Sequence, residues 1–281
     1  MTETTVVVHG ATGTQGQAIV RSLRAAGHRI RAVTRNPRPS TDPAVQFVPA
    51  DLLEQAYQGA DAVVVQLPLD FTADTPGRAD TILAALATAG VPRAIFNTGG
   101  GIPPADPIGV PFVDARIRLA AGLPHAVPVA SVVGPASTYL ENLAAPWSHR
   151  LLLDQGELRY PLPASVPNPW VAAADLGAAI ADLITASTPP AARLVAGPSA
   201  LTGPELAAEI EAAIGRPVRW HTIEPAEYAR MLAPHLGDTI AAGIAGAYTN
   251  PAPPPNPALI THGLTSAKAW AAETLLPHRD A

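Results

Sequence analysis

The segment Gly10-Ala11-Thr12-Gly13-Thr14-Gln15-Gly16 has the residue types and spacing of a phosphate-binding turn. It follows the apolar run Val6-Val7-Val8-His9 and opens a helical pattern, the context that makes a Gly-x-x-Gly-x-x-Gly spacing informative. Gly10 permits a tight turn, Gly13 lets the backbone approach a pyrophosphate, and Gly16 allows the helix to pack closely on the strand. The helix N-terminus then offers free N–H groups and a partial positive charge to an anion. Thr12, Thr14 and Gln15 complete this loop as candidate cofactor contacts.

A second signal stands at the end of the next strand pattern, in Thr34-Arg35-Asn36. About 20 residues after such a loop, an Asp or Glu would take the ribose 2′-hydroxyl of NAD, whereas an arginine accommodates a 2′-phosphate. Arg35 occupies this window, no acid does, and Arg38 is close enough to assist. The expected cofactor is therefore NADP(H), with Asn36 beside Arg35 in the same turn.

These residues need a scaffold, and the apolar periodicity supplies one. Strands are expected at Val6–His9, Arg29–Thr34, Val45–Val48, Ala60–Gln66, Arg93–Thr98 and 126–133. Helices are expected over Thr14–Ala26, Asp74–Ala89 and Pro111–Ala121. Apolar strands alternating with helical patterns imply an α/β, Rossmann-type, doubly wound parallel sheet covered on both faces. After Ala136 the rhythm loosens. Helices are expected near Thr138–Leu153, Ala174–Ala186, Pro204–Ile214 and Ala226–Leu232, with short strands near Arg193–Ala196 and Val218–Thr222. The proline-rich stretches 102–111 and 249–257 read as loops. The expected organisation is a nucleotide-binding domain over 1–135 and a smaller, partly interwoven substrate-binding region over 136–281.

Composition narrows the function classes. The chain has 281 residues, 48% of them hydrophobic, enough to bury a full core. No apolar stretch reaches the roughly 18 residues of a membrane span, and no basic n-region opens the chain, so a cytoplasmic location is expected. A net charge of −5 without a basic run argues against nucleic acid. With no cysteine, and eight histidines none of which are paired at helical metal-ligand spacing, no metal site is expected. His9 reads as buried structure, His28 as a cap or surface residue, and His221 as structural.

The sequence resembles the NmrA-like branch of the atypical short-chain dehydrogenases/reductases. The likeness rests on the glycine loop, Thr34-Arg35-Asn36, Asp51-Leu52, Tyr139-Leu140-Glu141-Asn142-Leu143, Pro169-Trp170-Val171 with Asp175-Leu176-Gly177, and Leu201-Thr202-Gly203-Pro204-Glu205-Leu206. It implies that Asp51 and Leu52 flank the adenine and that Gln66, Leu67 and Pro68 lie beside the adenosine. It also implies that Thr98, Gly99 and Gly100, with Val133, Gly134 and Pro135, flank the nicotinamide.

The wider family reduces carbonyls with a Tyr-x-x-x-Lys pair, and that pair is missing. None of the five tyrosines, Tyr57, Tyr139, Tyr160, Tyr228 and Tyr248, has a lysine four residues later. Lys268 is the single lysine and lies near the C-terminus. Two readings follow: a cofactor-binding redox sensor acting through a protein partner, or a reductase that relies on orientation. Positioning alone can supply roughly 7–11 kcal/mol, and the cofactor carries the hydride chemistry. Relatives lacking the pair act on quinones or aromatic polyketide ketones. The expected substrate is accordingly a bulky aromatic ketone or quinone, met by Phe112, Tyr139, Asn142, Trp147 and His149, with Trp170 as a further pocket wall. Thr98, in the place of the family's usual serine, and Tyr139 are the candidate catalytic hydroxyls. The oligomeric state is left open.

Overall fold

The structure, a computed structural model, describes residues 4–72 and 74–276. Strand β1 (Thr5–His9) leads through the glycine loop into α1 (Thr14–Ala25), followed by β2 (Arg29–Thr34), β3 (Val45–Pro49) and the short α2 (Leu53–Tyr57). Then come β4 (Ala62–Gln66), α3 (Thr75–Thr88), β5 (Arg93–Asn97), α4 (Pro111–Ala126) and β6 (Val129–Pro135). The later chain forms α5 (Pro146–Arg150), β7 (Glu157–Tyr160), α6 (Ala173–Thr185), β8 (Ala192–Ala196), α7 (Gly203–Ile214) and β9 (Arg219–Thr222). It ends with α8 (Pro225–Leu236), α9 (Asp238–Thr249), β10 (Ile260–His262) and α10 (Ala267–Thr274).

Two compact units result: Met1–Pro135 with Ala173–Val195 and Ala258–Thr261, and Ala136–Ala172 with Ala196–Pro257 and His262–Ala281. The first is built on an eight-stranded sheet of order β10-β8-β6-β5-β4-β1-β2-β3, parallel from β3 through β8. This is the doubly wound α/β arrangement expected from the sequence. Successive strands build outward from β1 in one direction and from β4 in the other, so the order reverses between β1 and β4. At such a switch point the connections diverge and leave a crevice at the strands' C-terminal ends.

Burial on both faces explains the nearly continuous apolar strands. Val7, Val63, Val65, Ala94 and Phe96 join Ile82, Leu86, Leu119 and Leu123 of α3 and α4 in one buried cluster. Val6, Val8, Val64 and Ile95 point the opposite way and are fully buried too. On that second side α1 and α6 pack together. Their approach is close enough that a Cβ on Gly177 of α6 would stand 2.6 Å from Ser22 Oγ and 2.8 Å from the Ala18 carbonyl oxygen.

The second unit has an aromatic core. Tyr160 on β7 lies 5.0 Å from Trp170 and 5.1 Å from Tyr228, ring centroid to ring centroid. Trp170, expected as a pocket wall, is 3% exposed and belongs to this core. The continuous helix expected over Thr138–Leu153 does not form. Tyr139 is extended and its segment bridges to Val171, Leu140–Leu143 make a 3-10 turn, and Ala145 is extended again before Pro146 starts α5. A π-helical turn, Leu151–Gln155, then ends at left-handed Gly156. Pro146 fixes this break, since it has no N–H to continue a preceding helix.

Candidate functional site

The glycine loop joins β1 to α1 at the switch point. Gly10 has φ +56°, and the Gly13 N–H donates back to the Gly10 carbonyl at 2.9 Å, closing the turn. Gly16 sits where a side chain is excluded. A Cβ there would overlap the Gly10 carbonyl oxygen and stand 2.7 Å from Gly10 C and 2.8 Å from Ala11 Cα. Gly13 is the N-cap of α1 and has ordinary extended dihedrals, so the helix begins with no side-chain cap over its first turn. The N–H groups of a first helical turn are what an anion site at a helix terminus uses. Thr12 reaches across to Thr34, hydroxyl to hydroxyl at 3.3 Å, and Gln17 Nε2 donates to the Thr12 carbonyl at 2.8 Å.

A buried polar chain lies beneath the loop. Asn97, 2% exposed at the end of β5, donates through Nδ2 to Gln15 Oε1 at 2.8 Å and to Gln66 Oε1 at 3.0 Å. Gln66 Nε2 donates to the His9 carbonyl at 2.6 Å, and the Gly99 N–H donates to Asn97 Oδ1 at 3.1 Å. The C-terminal ends of β1, β4 and β5 are thus tied to the first turn of α1. Asn97 was not singled out in the sequence; its signal is a polar amide closing an apolar strand, where a buried amide must be hydrogen-bonded. His9 is buried as expected, with Tyr57 Oη 2.6 Å from its Nε2, and burial pulls its pKa down from 6.5 to about 4. His28 is a cap and not a surface residue: its N–H donates to the Leu23 carbonyl at 3.0 Å, closing the end of α1, while its side chain is buried and burial lowers its pKa.

Thr98 is turned onto its own backbone. Its hydroxyl donates to the Gly100 carbonyl and accepts from the Gly100 N–H at 3.3 Å. Its N–H donates to the Val133 carbonyl at 2.9 Å, and a Cβ on Gly134 would overlap both the Thr98 hydroxyl and the Gly100 carbonyl. The turn Thr98-Gly99-Gly100 after β5 therefore packs tightly on Val133, Gly134 and Pro135, the last residues of strand β6.

At the other side of the switch point Arg35 and Asn36 are exposed just past β2, with the Asn36 N–H 3.4 Å from Thr34 Oγ1. Arg38 lies over the Phe47 ring, 5.6 Å from its centroid. Asp51 and Leu52 are exposed after β3; Leu67 packs on the core and Pro68 is exposed after β4. All the cofactor-binding candidates lie in the first unit, at the C-terminal ends of β1 to β6.

The NmrA-like family profile matches residues 2–250. An NAD(P)H azoreductase from Xenophilus azovorans is 30% identical over 233 residues, 78% of this chain and 77% of the relative. The chain belongs to the NmrA-like family. In fold it resembles the NADPH-dependent quinone oxidoreductase of Escherichia coli solved with NADPH, at TM-score 0.68 and 21% identity, covering 95% of this chain and 99% of that one. It also resembles NmrA, a negative transcriptional regulator solved with NADP, at TM-score 0.67 and 16% identity, covering 98% and 96%.

In this NmrA-like chain the substrate candidates divide between the units. Phe112 is in the first, on α4, against Phe71 and Arg116. Tyr139, Asn142, Trp147 and His149 are in the second. Tyr139 is buried at the start of the 3-10 turn. Asn142 Nδ2 donates to the Tyr160 hydroxyl at 3.1 Å, and Tyr160 and Tyr248 share a hydrogen bond of 2.7 Å. Burial holds the Tyr160 and Tyr248 phenols well above their ordinary pKa, so neither is a ready proton donor at neutral pH. Trp147 packs on the core of this unit with its ring 6.1 Å from His235, and His149 is half-buried on α5. His221, expected as structural, is exposed on β9, 4.0 Å from Glu157. Lys268 is exposed on α10 in the second unit. Among the described residues no group of side chains has the makings of a metal site, and no helix is long and apolar enough to cross a membrane.

Proposed function

We propose that this chain is an NADPH-dependent reductase for flat, conjugated aromatic acceptors such as quinones, aromatic ketones or azo compounds, working without a tyrosine–lysine relay. The observation that carries the reading is the cradle at Gly16, where any side chain meets rigid backbone, beneath an α1 terminus left uncapped at Gly13. Its shape and its helix-terminal N–H groups fit a pyrophosphate. The likeness to an NAD(P)H azoreductase and to an NADPH-dependent quinone oxidoreductase supports the choice of acceptor class.

Each residue then has a task. The loop Gly10 to Gly16, with Thr12, Thr14 and Gln15, binds the pyrophosphate; Arg35, Asn36 and Arg38 meet the 2′-phosphate. Asp51, Leu52, Gln66, Leu67 and Pro68 enclose the adenosine. Thr98 to Gly100 and Val133 to Pro135 seat the nicotinamide, which when bound supplies the hydride. With its hydrogen given to Gly100, we assign Thr98 to shaping that turn and not to proton donation. Asn97 holds the surrounding strands in register, and orientation of this kind is worth as much as several chemical groups.

A second reading, a redox sensor acting through a protein partner, draws on the missing Tyr-x-x-x-Lys pair and the likeness to a transcriptional regulator. Calorimetry with NADPH and NADH, followed by turnover on a panel of naphthoquinones, polycyclic ketones and azo dyes, separates the two. Tight NADPH binding with acceptor-dependent oxidation supports the reductase. Tight binding with no oxidation of any acceptor would leave the sensor.

A further inference from the structure

Arg116 lies one helical turn beyond Phe112 on α4, and its guanidinium carbon sits 5.6 Å from the centroid of that ring. Phe112 packs in turn on Phe71, centroids 5.2 Å apart. The same guanidinium donates through Nη2 to the Gly101 carbonyl at 2.7 Å, and a Cβ on Gly100 would stand 3.1 Å from that nitrogen. A fixed cation is therefore clamped between an aromatic ring and the turn after β5. The loop leading into α4 is fastened as well: Asp114 accepts the N–H groups of Ile108 and Gly109 at 2.8 and 3.1 Å.

Resting on the reductase reading, we propose that Arg116 binds the negative charge of the acceptor as it is reduced, and that Phe112 and Phe71 give the acceptor its ring surface. In the reaction, hydrogen leaves the cofactor with its electron pair and bonds to the acceptor. The π pair it displaces moves onto an acceptor oxygen or nitrogen, which becomes anionic, and water supplies the proton afterwards. Arginine suits the first part and not the second, because it keeps its proton at any physiological pH and offers a planar fork of donors. A preformed positive charge of this kind stabilises the transition state without a proton donor, which is the need left by the absent tyrosine–lysine pair. The site would accordingly favour planar aromatics whose reduced form, or whose substituent, is anionic.

The test compares Arg116→Gln, which keeps a donor for Gly101 but loses the charge, with Arg116→Lys, which keeps the charge. Calorimetry on the NADP⁺ complex uses naphthalenesulfonate and its uncharged sulfonamide as probes. Expected is a loss of about tenfold in sulfonate affinity for the glutamine variant, the size of one charge-assisted hydrogen bond. The sulfonamide and NADPH affinities should stay unchanged, and lysine should recover most of the loss. Turnover of a soluble naphthoquinone should fall on the order of 10- to 100-fold in the glutamine variant, below the full value of an enclosed donor because Arg116 is half-exposed. Sulfonate affinity equal to that of the unsubstituted protein, or lysine as poor as glutamine, overturns the proposal and leaves Arg116 as a tether for Gly101. Should the glutamine variant not fold, the unsubstituted protein still decides: no preference for sulfonate over sulfonamide refutes the charge site. If the protein binds the sulfonate through Arg116 yet reduces nothing, the reductase reading falls while the anion site stands.

Discussion

Replacing Gly16 with alanine adds one methyl group at the place with least room for it. The new carbon would overlap the Gly10 carbonyl oxygen and stand 2.7 and 2.8 Å from Gly10 C and Ala11 Cα, all backbone atoms. Carbon–carbon contact needs about 3.5 Å, so the loop and the start of α1 must separate by on the order of 1 Å. Overpacking of this kind costs about 1–3 kcal/mol of stability. The same shift carries the first-turn N–H groups off the pyrophosphate. Losing two charge-assisted contacts, each about 1.5 kcal/mol, weakens NADPH on the order of 100-fold. Urea unfolding gives the first quantity and calorimetry the second. Gly13→Val is the control: Gly13 has φ −79° and its Cβ would meet only the Gly10 carbonyl oxygen, at 3.3 Å. It should keep most of the stability while losing NADPH binding, because its side chain projects where a phosphate must come. Gly16→Ala with unaltered stability and NADPH affinity would refute the cradle.

Arg35→Asp should remove at least about tenfold of the preference for NADPH over NADH, the lower end for a charge-assisted contact because Arg35 is exposed; calorimetry with both cofactors measures it. Tyr139→Phe should lower turnover by less than about tenfold, whereas a true general acid would cost about 10²–10⁴-fold. The His9 pKa of about 4 makes a pH prediction. Unfolded histidine takes up a proton near pH 6.5 and folded His9 only near 4, so its contribution is present above 6.5 and is lost as pH falls toward 4. Between neutral pH and pH 5 the loss from this residue is about 2 kcal/mol, and His9→Gln should flatten urea-derived stability over that interval by a similar amount.

The strands up to β6 were legible because they are largely interior and the glycine loop is local chemistry, whereas β10, short and exposed at the sheet edge, was not. Val6 to Val8 or Ala62 to Val65 cannot be anything but interior, and Gly13 and Gly16 announce a helix start. The second unit was less legible because its pairings are long-range. Tyr139 is held extended by Val171, and β7 pairs with β9 some sixty residues later, from Glu157 with Arg219 to Tyr160 with Thr222. Neither partner is visible in a local window. Helix α9 escaped notice because Asp238–Thr249 carries Gly243 and Gly246 among small residues, a weak helical pattern that gains its stability from packing against α8. In the candidate site, the tight turn at Gly10 and the helix start after Gly13 were readable from the sequence. The Asn97 network and the Arg116 clamp were not, since each depends on which strand ends the topology places side by side.

The most direct measurement is the fate of deuterium placed on one face of the nicotinamide of NADPH, followed by nuclear magnetic resonance after anaerobic reaction with a polycyclic aromatic ketone. If the turn at Thr98–Gly100 and the end of β6 at Val133–Pro135 seat the ring for transfer, deuterium from one face alone should appear on the carbinol carbon of the product, and label on the other face should stay with NADP⁺. Persistent NADPH in the presence of every ketone, quinone and azo acceptor, although the protein binds it tightly, would contradict a reductase.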